Sequence, residues 1–331
     1  MFSIKYQNSN VLSIFMNIKQ YKIIFFGTPE FSAIILDKLI NSPFCPIAVV
    51  TAPDKLKGRK QILTPPQTKE LSIKKNIPVF QPVFLKNNPQ IIKELSNLKP
   101  DLFIVAAYGL ILPLEILNIP HNGCINVHPS LLPKYRGASP IQQTILNGDK
   151  ETGTTLILMD EKMDHGPVIS QKEFNEEIES INYPKLSVKL AILSANLLID
   201  TLPKFLAKEI KPTKQNHKQV TFVKRINKLD GKIDWTKSAN EIERTTRAYC
   251  PWPGTYTTLT TKKLKIIHVE ILEINHKKQP GTIFLFENKI PAVACGKNAL
   301  ILKEIQLEGK NIITGKEFIN GYPHLFSSVM E

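Results

Sequence analysis

The sequence is short of the residues that would make a stapled or metal-clipped domain. Only four cysteines occur in 331 residues, Cys45, Cys124, Cys250 and Cys295, and none belongs to a CxxC pair. That excludes a zinc ribbon and a thioredoxin-type motif and fits a reduced, cytoplasmic chain. Long apolar runs are missing too. The longest, such as residues 102–108, have strand length, against the roughly 18–20 apolar residues of a membrane span. Glycine is scarce where phosphate-binding loops require it. No GxxxxGK[ST] occurs, and the first strand-to-helix turn reads Gly27-Thr28-Pro29-Glu30, with one glycine and a proline that lacks an N–H. Nucleotide hydrolysis has no support and a nicotinamide cofactor is disfavoured; the turn reads as a helix entry with Pro at its start. Acidic residues are the last shortage: 29 against 43 basic ones, a formal charge of +14. Residues 211–331 carry 20 basic and 11 acidic side chains, and residues 1–210 carry 23 and 18. The shorter C-terminal part is therefore the more basic, as a nucleic-acid footprint would make it. A lysine-rich but merely soluble surface explains the same count.

What is present is a rhythm. Apolar runs at residues 21–26 (YKIIFF), 47–51 (IAVVT), 79–80, 101–107 (DLFIVAA) and 124–128 (CINVH) alternate with helical patterns through residue 40, over 65–75 and over 89–98. Strands apolar on both faces, separated by helices, predict an α/β domain with a Rossmann-like, mostly parallel sheet. Two further strands are expected at 154–159 and 168–174, and a long helix at 184–206. Residues 207–221 are polar, lysine-rich and contain proline, which reads as a linker. Beyond them come a helix at 234–248 and five short β-like runs, at 254–259, 264–272, 282–286, 292–295 and 299–307, which suggest a small β-barrel. The expected division is a catalytic domain at 21–206, the linker at 207–221 and a C-terminal domain at 222–331. Residues 1–20 read as a disordered N-terminal extension with a weak presequence signal, and Met16 is an alternative start.

Three segments carry chemistry. Residues 51–66 (TAPDKLKGRKQILTPP) form a connection longer than the usual 2–6 residues, in which Lys55, Lys57, Arg59 and Lys60 are set against Asp54 alone. A flexible basic loop at a strand's carboxyl edge can grip phosphates; an exposed polar loop is the plainer reading. Asn126 and His128 occupy positions i and i+2 of a strand, hence one face. Pro129 follows, so both sit at the strand's carboxyl edge, where open α/β sheets bind ligands. A carboxamide can donate to a developing oxyanion and an imidazole can move protons; a lone strand histidine is more often structural. Residues 130–140 (SLLPKYRGASP) are rich in Pro and Gly, and residues 160–167 (DEKMDHGP) offer Asp164 beside a glycine turn.

Taken in order, FFGTPEF, PDKLKGR, AAYGLILP, CINVHPSLLPKYRGASPIQ, ETGTTLILMDEKMDHGPV and WTKSANEIERTTRAYCPWPG resemble the methionyl-tRNA formyltransferase family over about residues 21–320. The SLLPxxRGxxP segment, with N-x-H before it and Asp164 after it, is shared by folate-dependent formyltransferases; the basic loop and the PWPG-containing second domain single out the tRNA enzymes. The resemblance implies that Asn126, His128 and Asp164 are catalytic and that Ser130, Leu131, Leu132 and Pro133 contact folate. It implies that the loop of Lys55, Lys57, Arg59 and Lys60 reaches tRNA, with Arg59 as its key arginine. It further implies an OB-like second domain that contacts tRNA. The implied co-substrate is 10-formyltetrahydrofolate and the implied partner methionyl initiator tRNA, with no metal, no membrane and a monomeric state. Loop 58–61 lacks a second glycine and a lysine pair common in the family, and His165 stands where Thr is usual. Proximity of Asp164 to His128 comes from the resemblance alone. A formyl transferase for glycinamide ribonucleotide would need only the first domain, and one for an amino sugar nucleotide is the neighbouring alternative. An RNA-binding protein with an inactive α/β domain would be expected to have lost Asn126, His128 or Asp164, and all three are intact.

Overall fold

Runs such as IIFFG at Ile23–Gly27 and LFIVA at Leu102–Ala106 can be strands only if both faces are covered, and each is buried along its whole length. The computed structural model describes residues 21–331 except Arg59, Asn288 and Phe326, so the expected extension at 1–20 lies outside the described residues. In chain order the first strands are β1 (Ile23–Gly27), β2 (Ala48–Val50), β3 (Lys55–Lys57), β4 (Ile62–Thr64), β5 (Val79–Phe80) and β6 (Leu102–Ala106). Next come β7 (Cys124–His128), β8 (Arg136–Gly137), β9 (Thr152–Leu158), β10 (Val168–Phe174) and β11 (Phe222–Val223). The last are β12 (Thr255–Leu259), β13 (Lys262–Leu272), β14 (Ile283–Phe286), β15 (Ile290–Ala294), β16 (Ala299–Leu307) and β17 (Ile312–Thr314). The helices are α1 (Glu30–Ile40), α2 (Gln67–Lys74), α3 (Pro89–Asn97), α4 (Leu114–Leu117), α5 (Pro140–Asn147), α6 (Tyr183–Leu206), α7 (Ala239–Tyr249) and α8 (Gly315–Gly321).

The chain divides into two units. The first holds the described residues up to His128 with Thr154–Lys172 and Ala191–Asn216; the second holds Pro129–Gly153, Glu173–Leu190 and His217–Glu331. In the first, a seven-stranded sheet has the order β10-β9-β7-β6-β1-β2-β5. Strands β5, β2, β1, β6 and β7 run parallel and β9 runs antiparallel to β7, which is the Rossmann-like sheet expected. On one face Phe26 meets Phe103 with ring centroids 5.0 Å apart and Tyr108 edge-on at 5.4 Å. Such pairs add about 0.5–1.5 kcal/mol beyond the area they bury.

The second unit contains the C-terminal antiparallel sheet, β12-β13-β16-β15-β14, with β17 added against β16. All five expected strands are present. The chain then closes the barrel by a route the sequence did not reveal. Ser327 N and Met330 N donate to Ile283 O and Gly281 O on one side, and Thr258 and Glu331 exchange N–H···O bonds of 2.8 and 3.0 Å on the other. The residues 327–331 thus lie between β14 and β12. Inside are Trp235, Ile242, Leu264, Leu300, Ile305 and Phe318, and the Trp235 indole N–H donates to Thr257 Oγ1 at 3.0 Å. The helix expected from residue 234 begins at Ala239, because Ser238 and Glu241 cap it reciprocally.

Helix α6 corrects one expectation. Among the described residues its 24-residue length and apolar composition would suffice for a membrane span. One stripe of it is packed: Leu186, Leu190, Ala191, Ser194, Ala195, Leu198 and Leu202 are all buried, at the spacing of a helix face turned to a core.

Candidate active site

Strand β7 is clamped on both sides, by β6 in parallel and β9 in antiparallel register. Asn126 lies opposite Val105 and Ile157, and His128 opposite Thr155. Residues i and i+2 share a face, so the carboxamide and the imidazole emerge together at the strand's carboxyl end. The strand end is anchored through the His128 carbonyl, which accepts from Thr154 Oγ1 at 3.3 Å; that hydroxyl lies 2.7 Å from Ser194 Oγ on α6. His128 itself is 4% exposed.

Asp164 comes from the turn joining β9 to β10. Asn126 Nδ2 donates to Asp164 Oδ1 at 3.0 Å, and His128 Nδ1 lies 3.6 Å from the same oxygen. The first is a hydrogen bond; the second is an ion-pair separation, too long for a direct hydrogen bond. One carboxylate oxygen therefore faces both groups. One of the two N–H bonds of the Asn126 amide is committed to Asp164, leaving a second donor in its inventory. Asp164 reaches this position with φ +50°, a left-handed backbone uncommon outside glycine. The turn is fastened from several sides. Asp160 Oδ2 and His165 Nδ1 approach to 2.5 Å. Leu158 N donates to Pro167 O at 2.9 Å. Gly166 passes so close to β9 that a Cβ there would stand 1.8 Å from Leu158 O. The buried Gln215 carboxamide donates to both Asp164 O, at 2.9 Å, and Gly166 O, at 2.7 Å. Sequence reading missed Gln215 altogether, because it stands in a stretch whose composition says linker.

The basic connection departs from the expected flexible loop. Its described part carries a short hairpin, with Lys55 opposite Thr64, Leu56 opposite Leu63 and Lys57 opposite Ile62. Lys55 and Lys60 are exposed, and so are Leu56, Ile62 and Leu63; Arg59 lies outside the described residues. The described partners of Asp54 lie outside the loop. It accepts from Lys69 and Gln81, at 2.8 Å in each case, and these hydrogen bonds, Gln81's first and then Lys69's, hold its carboxyl below the usual range.

In the second unit, residues 130–133 are largely covered. Ser130 and Leu132 are buried, Leu131 and Pro133 half-buried, and Ser130 Oγ donates to Lys134 O at 2.6 Å. After them the buried Arg136 guanidinium reaches His217 Nδ1 at 3.0 Å. Its backbone N–H donates to Thr221 O, and β8 pairs with β11. The polar stretch 207–221 is thus tied down at several points. Among the described residues no three His, Cys, Asp or Glu side chains gather as metal ligands would.

Residues 21–185 match the Formyl transferase family and residues 225–323 match its C-terminal domain. A methionyl-tRNA formyltransferase of Clostridium novyi is 41% identical over 94% of this chain and 100% of its own length. The one from Bacillus subtilis is 42% identical over 91% of this chain and 94% of its own. The chain belongs to the methionyl-tRNA formyltransferase family. Solved structures support the fold of this formyltransferase. An N-formyltransferase from Helicobacter canadensis, in complex with folinic acid and dTDP-3-aminofucose, superposes with a TM-score of 0.63 at 20% identity, covering 85% of this chain and 98% of its own. HypX from Aquifex aeolicus, in complex with tetrahydrofolic acid, gives 0.59 at 16% identity over 92% of this chain and 48% of its own.

Proposed function

We propose that this formyltransferase moves the formyl group of 10-formyltetrahydrofolate to the amino group of methionyl initiator tRNA, giving N-formylmethionyl-tRNA for translation initiation. The observation that carries the reading is the convergence of a carboxamide, an imidazole and a carboxylate at one strand edge, with Asp164 Oδ1 3.0 Å from Asn126 Nδ2 and 3.6 Å from His128 Nδ1. Relatives over 40% identical across nearly the whole chain carry that activity in their names. The set suits a folate-borne formyl group, because its polar atoms are two proton-bearing groups and one acceptor.

The folate supplies an activated one-carbon unit. The second N–H of Asn126 donates to the formyl oxygen as negative charge builds on it, a term worth about 3–4 kcal/mol of barrier. As the bond from the amine to the formyl carbon forms and the folate nitrogen–formyl bond breaks, His128 relays the proton lost by the attacking amine to that leaving nitrogen; the amine must be neutral to react, and a free α-amino group titrates at about 7.7–8.0. Asp164 holds both groups in register. Residues 130–133 line the folate, Lys55, Lys57, Arg59 and Lys60 meet the tRNA, and no metal takes part. The working division is a catalytic domain at 21–206, a linker at 207–221 and a tRNA-contacting domain at 222–331, acting as a cytoplasmic monomer free of membrane.

Incubation of the full chain with 10-formyltetrahydrofolate and charged initiator tRNA should yield formyl-methionine, and omission of the folate should abolish it. Charged elongator tRNA, run alongside, should react poorly. Binding of tRNA with no formyl product would overturn the reading in favour of an inactive RNA-binding protein.

A further inference from the structure

Resting on that reading, we propose that Gln215 is a positioning residue for the reaction: its side-chain amide fixes the backbone of the turn that presents Asp164. Among the described residues between Ala207 and Phe222 it alone is buried, set in a run of exposed or half-exposed neighbours. Burying a carboxamide is costly unless its donors are satisfied. Both N–H bonds of Nε2 are satisfied by one target, the carbonyls of Asp164 and Gly166, at 2.9 and 2.7 Å. Those carbonyls flank His165, and the first belongs to the residue whose backbone is left-handed, Asp164 with φ +50°. The grip has a rigid backing. Two residues earlier, Thr213 and Val168 exchange N–H···O bonds of 2.8 Å each, so the segment bearing Gln215 is pinned to the start of β10.

A left-handed aspartate costs roughly 1 kcal/mol or more and persists only where its surroundings over-determine it. Gly166 cannot shift toward β9, because its backbone already lies against Leu158 O. Gln215 adds a second restraint through the carbonyls of the same turn. Without its donors, the Asp164 carbonyl loses this partner and the residue can relax toward a right-handed backbone, swinging the carboxylate away from Asn126 and His128. A misplacement of about 1 Å can cost about 10²-fold in rate. The Gln215 amide spends both its donors on the turn, so its influence on turnover passes through Asp164.

The test uses the full chain as Gln215→Met, which keeps the volume and removes both donors, as Asp164→Ala, and as the double variant. Single-turnover rate, KM for charged tRNA and thermal melting are measured for each. Gln215→Met should lower the rate about 10–100-fold, with KM within about 2-fold of the parent. On the Asp164→Ala background it should add less than about 2-fold, since the carboxylate it positions is gone. Gln215→Glu, of the same size but with acceptors facing two carbonyls, should fall at least as far as Gln215→Met. As a readout independent of turnover, the His128 ring resonances should move in Gln215→Met. An unchanged rate in Gln215→Met, a full further loss on top of Asp164→Ala, or an undisturbed His128 ring would overturn the inference. Failure of the parent protein to formylate would instead overturn the proposed function.

Discussion

Along β1 and β6 no side chain reaches solvent, whereas along β12 burial alternates, with Thr255, Thr257 and Leu259 inside and Tyr256 and Thr258 half-exposed. The first pattern belongs to a parallel sheet covered on both faces, the second to a barrel wall with an outer face. The difference governs where each unit can place working groups. A doubly covered sheet has no face to offer, so the proposed working groups Asn126 and His128 stand where β7 runs out and Asp164 comes from a turn. The barrel can use the length of its strands. Lys263 Nζ sits 3.3 Å from the ring centroid of Tyr256. Burial, and then the positive charges of Lys228 and Lys265, push its ammonium below its ordinary pKa. Chemistry at an edge depends on exact position; charge on a face depends on number.

The comparison can be broken at four points, in decreasing order of effect. Phe103→Ala, which empties a fully buried site against Phe26, should cost about 3–5 kcal/mol of stability in denaturant titration. Lys265→Ala on the barrel should stay within about 0.5 kcal/mol. His128→Ala should lower kcat about 10²–10³-fold while tRNA affinity stays nearly constant; equal loss of both would remove the distinction between edge and face. Combined reversal of Lys228, Lys263 and Lys265 to Glu should weaken tRNA binding and flatten its dependence on log salt by about 0.7–0.9 for each phosphate no longer neutralised, with single-turnover chemistry retained at saturation. Substitution is the cleaner route than truncation near Lys211, which would also remove Thr213 and Gln215 from the turn that bears Asp164.

The smallest effect concerns two thiols. Burial pushes both Cys124 and Cys295 up to about 12, and each is 1% exposed. At pH 8 a maleimide should modify exposed Cys45 at once. Cys124 and Cys295 should react only as their own units open, and the ratio of their rates ranks the two units by local stability. Rapid labelling of either one in the native state would contradict their burial in the two cores.

How much of the molecule was legible depended on what each residue reports about itself. Strands apolar on both faces announce a covered sheet, so β1, β6 and β7 were plain, and i, i+2 geometry put Asn126 beside His128. The approach of Asp164 was available only through likeness to relatives, because the intervening residues carry no record of a turn's direction. The β3–β4 hairpin was hidden by its exposed apolar side chains, which bury nothing and give no periodic signal. Asp54 looked like the partner of the loop lysines by adjacency, yet Lys69 and Gln81 reach it from α2 and beyond β5. Gln215 was hidden for the opposite reason: its hydrogen bonds are to backbone carbonyls, and carbonyls have no letter in a sequence.

The seam made by residues 327–331 bears on how the protein is born. While the chain is still emerging from a ribosome, β12 and β14 wait with unanswered hydrogen-bonding edges until those residues arrive. The parallel sheet, by contrast, has all of its strands by Phe174. The first unit can therefore settle once residues 191–216 have followed, and the second seals its sheet only when residues 327–331 have emerged, which makes a substitution in that seam a matter of folding and not only of local packing.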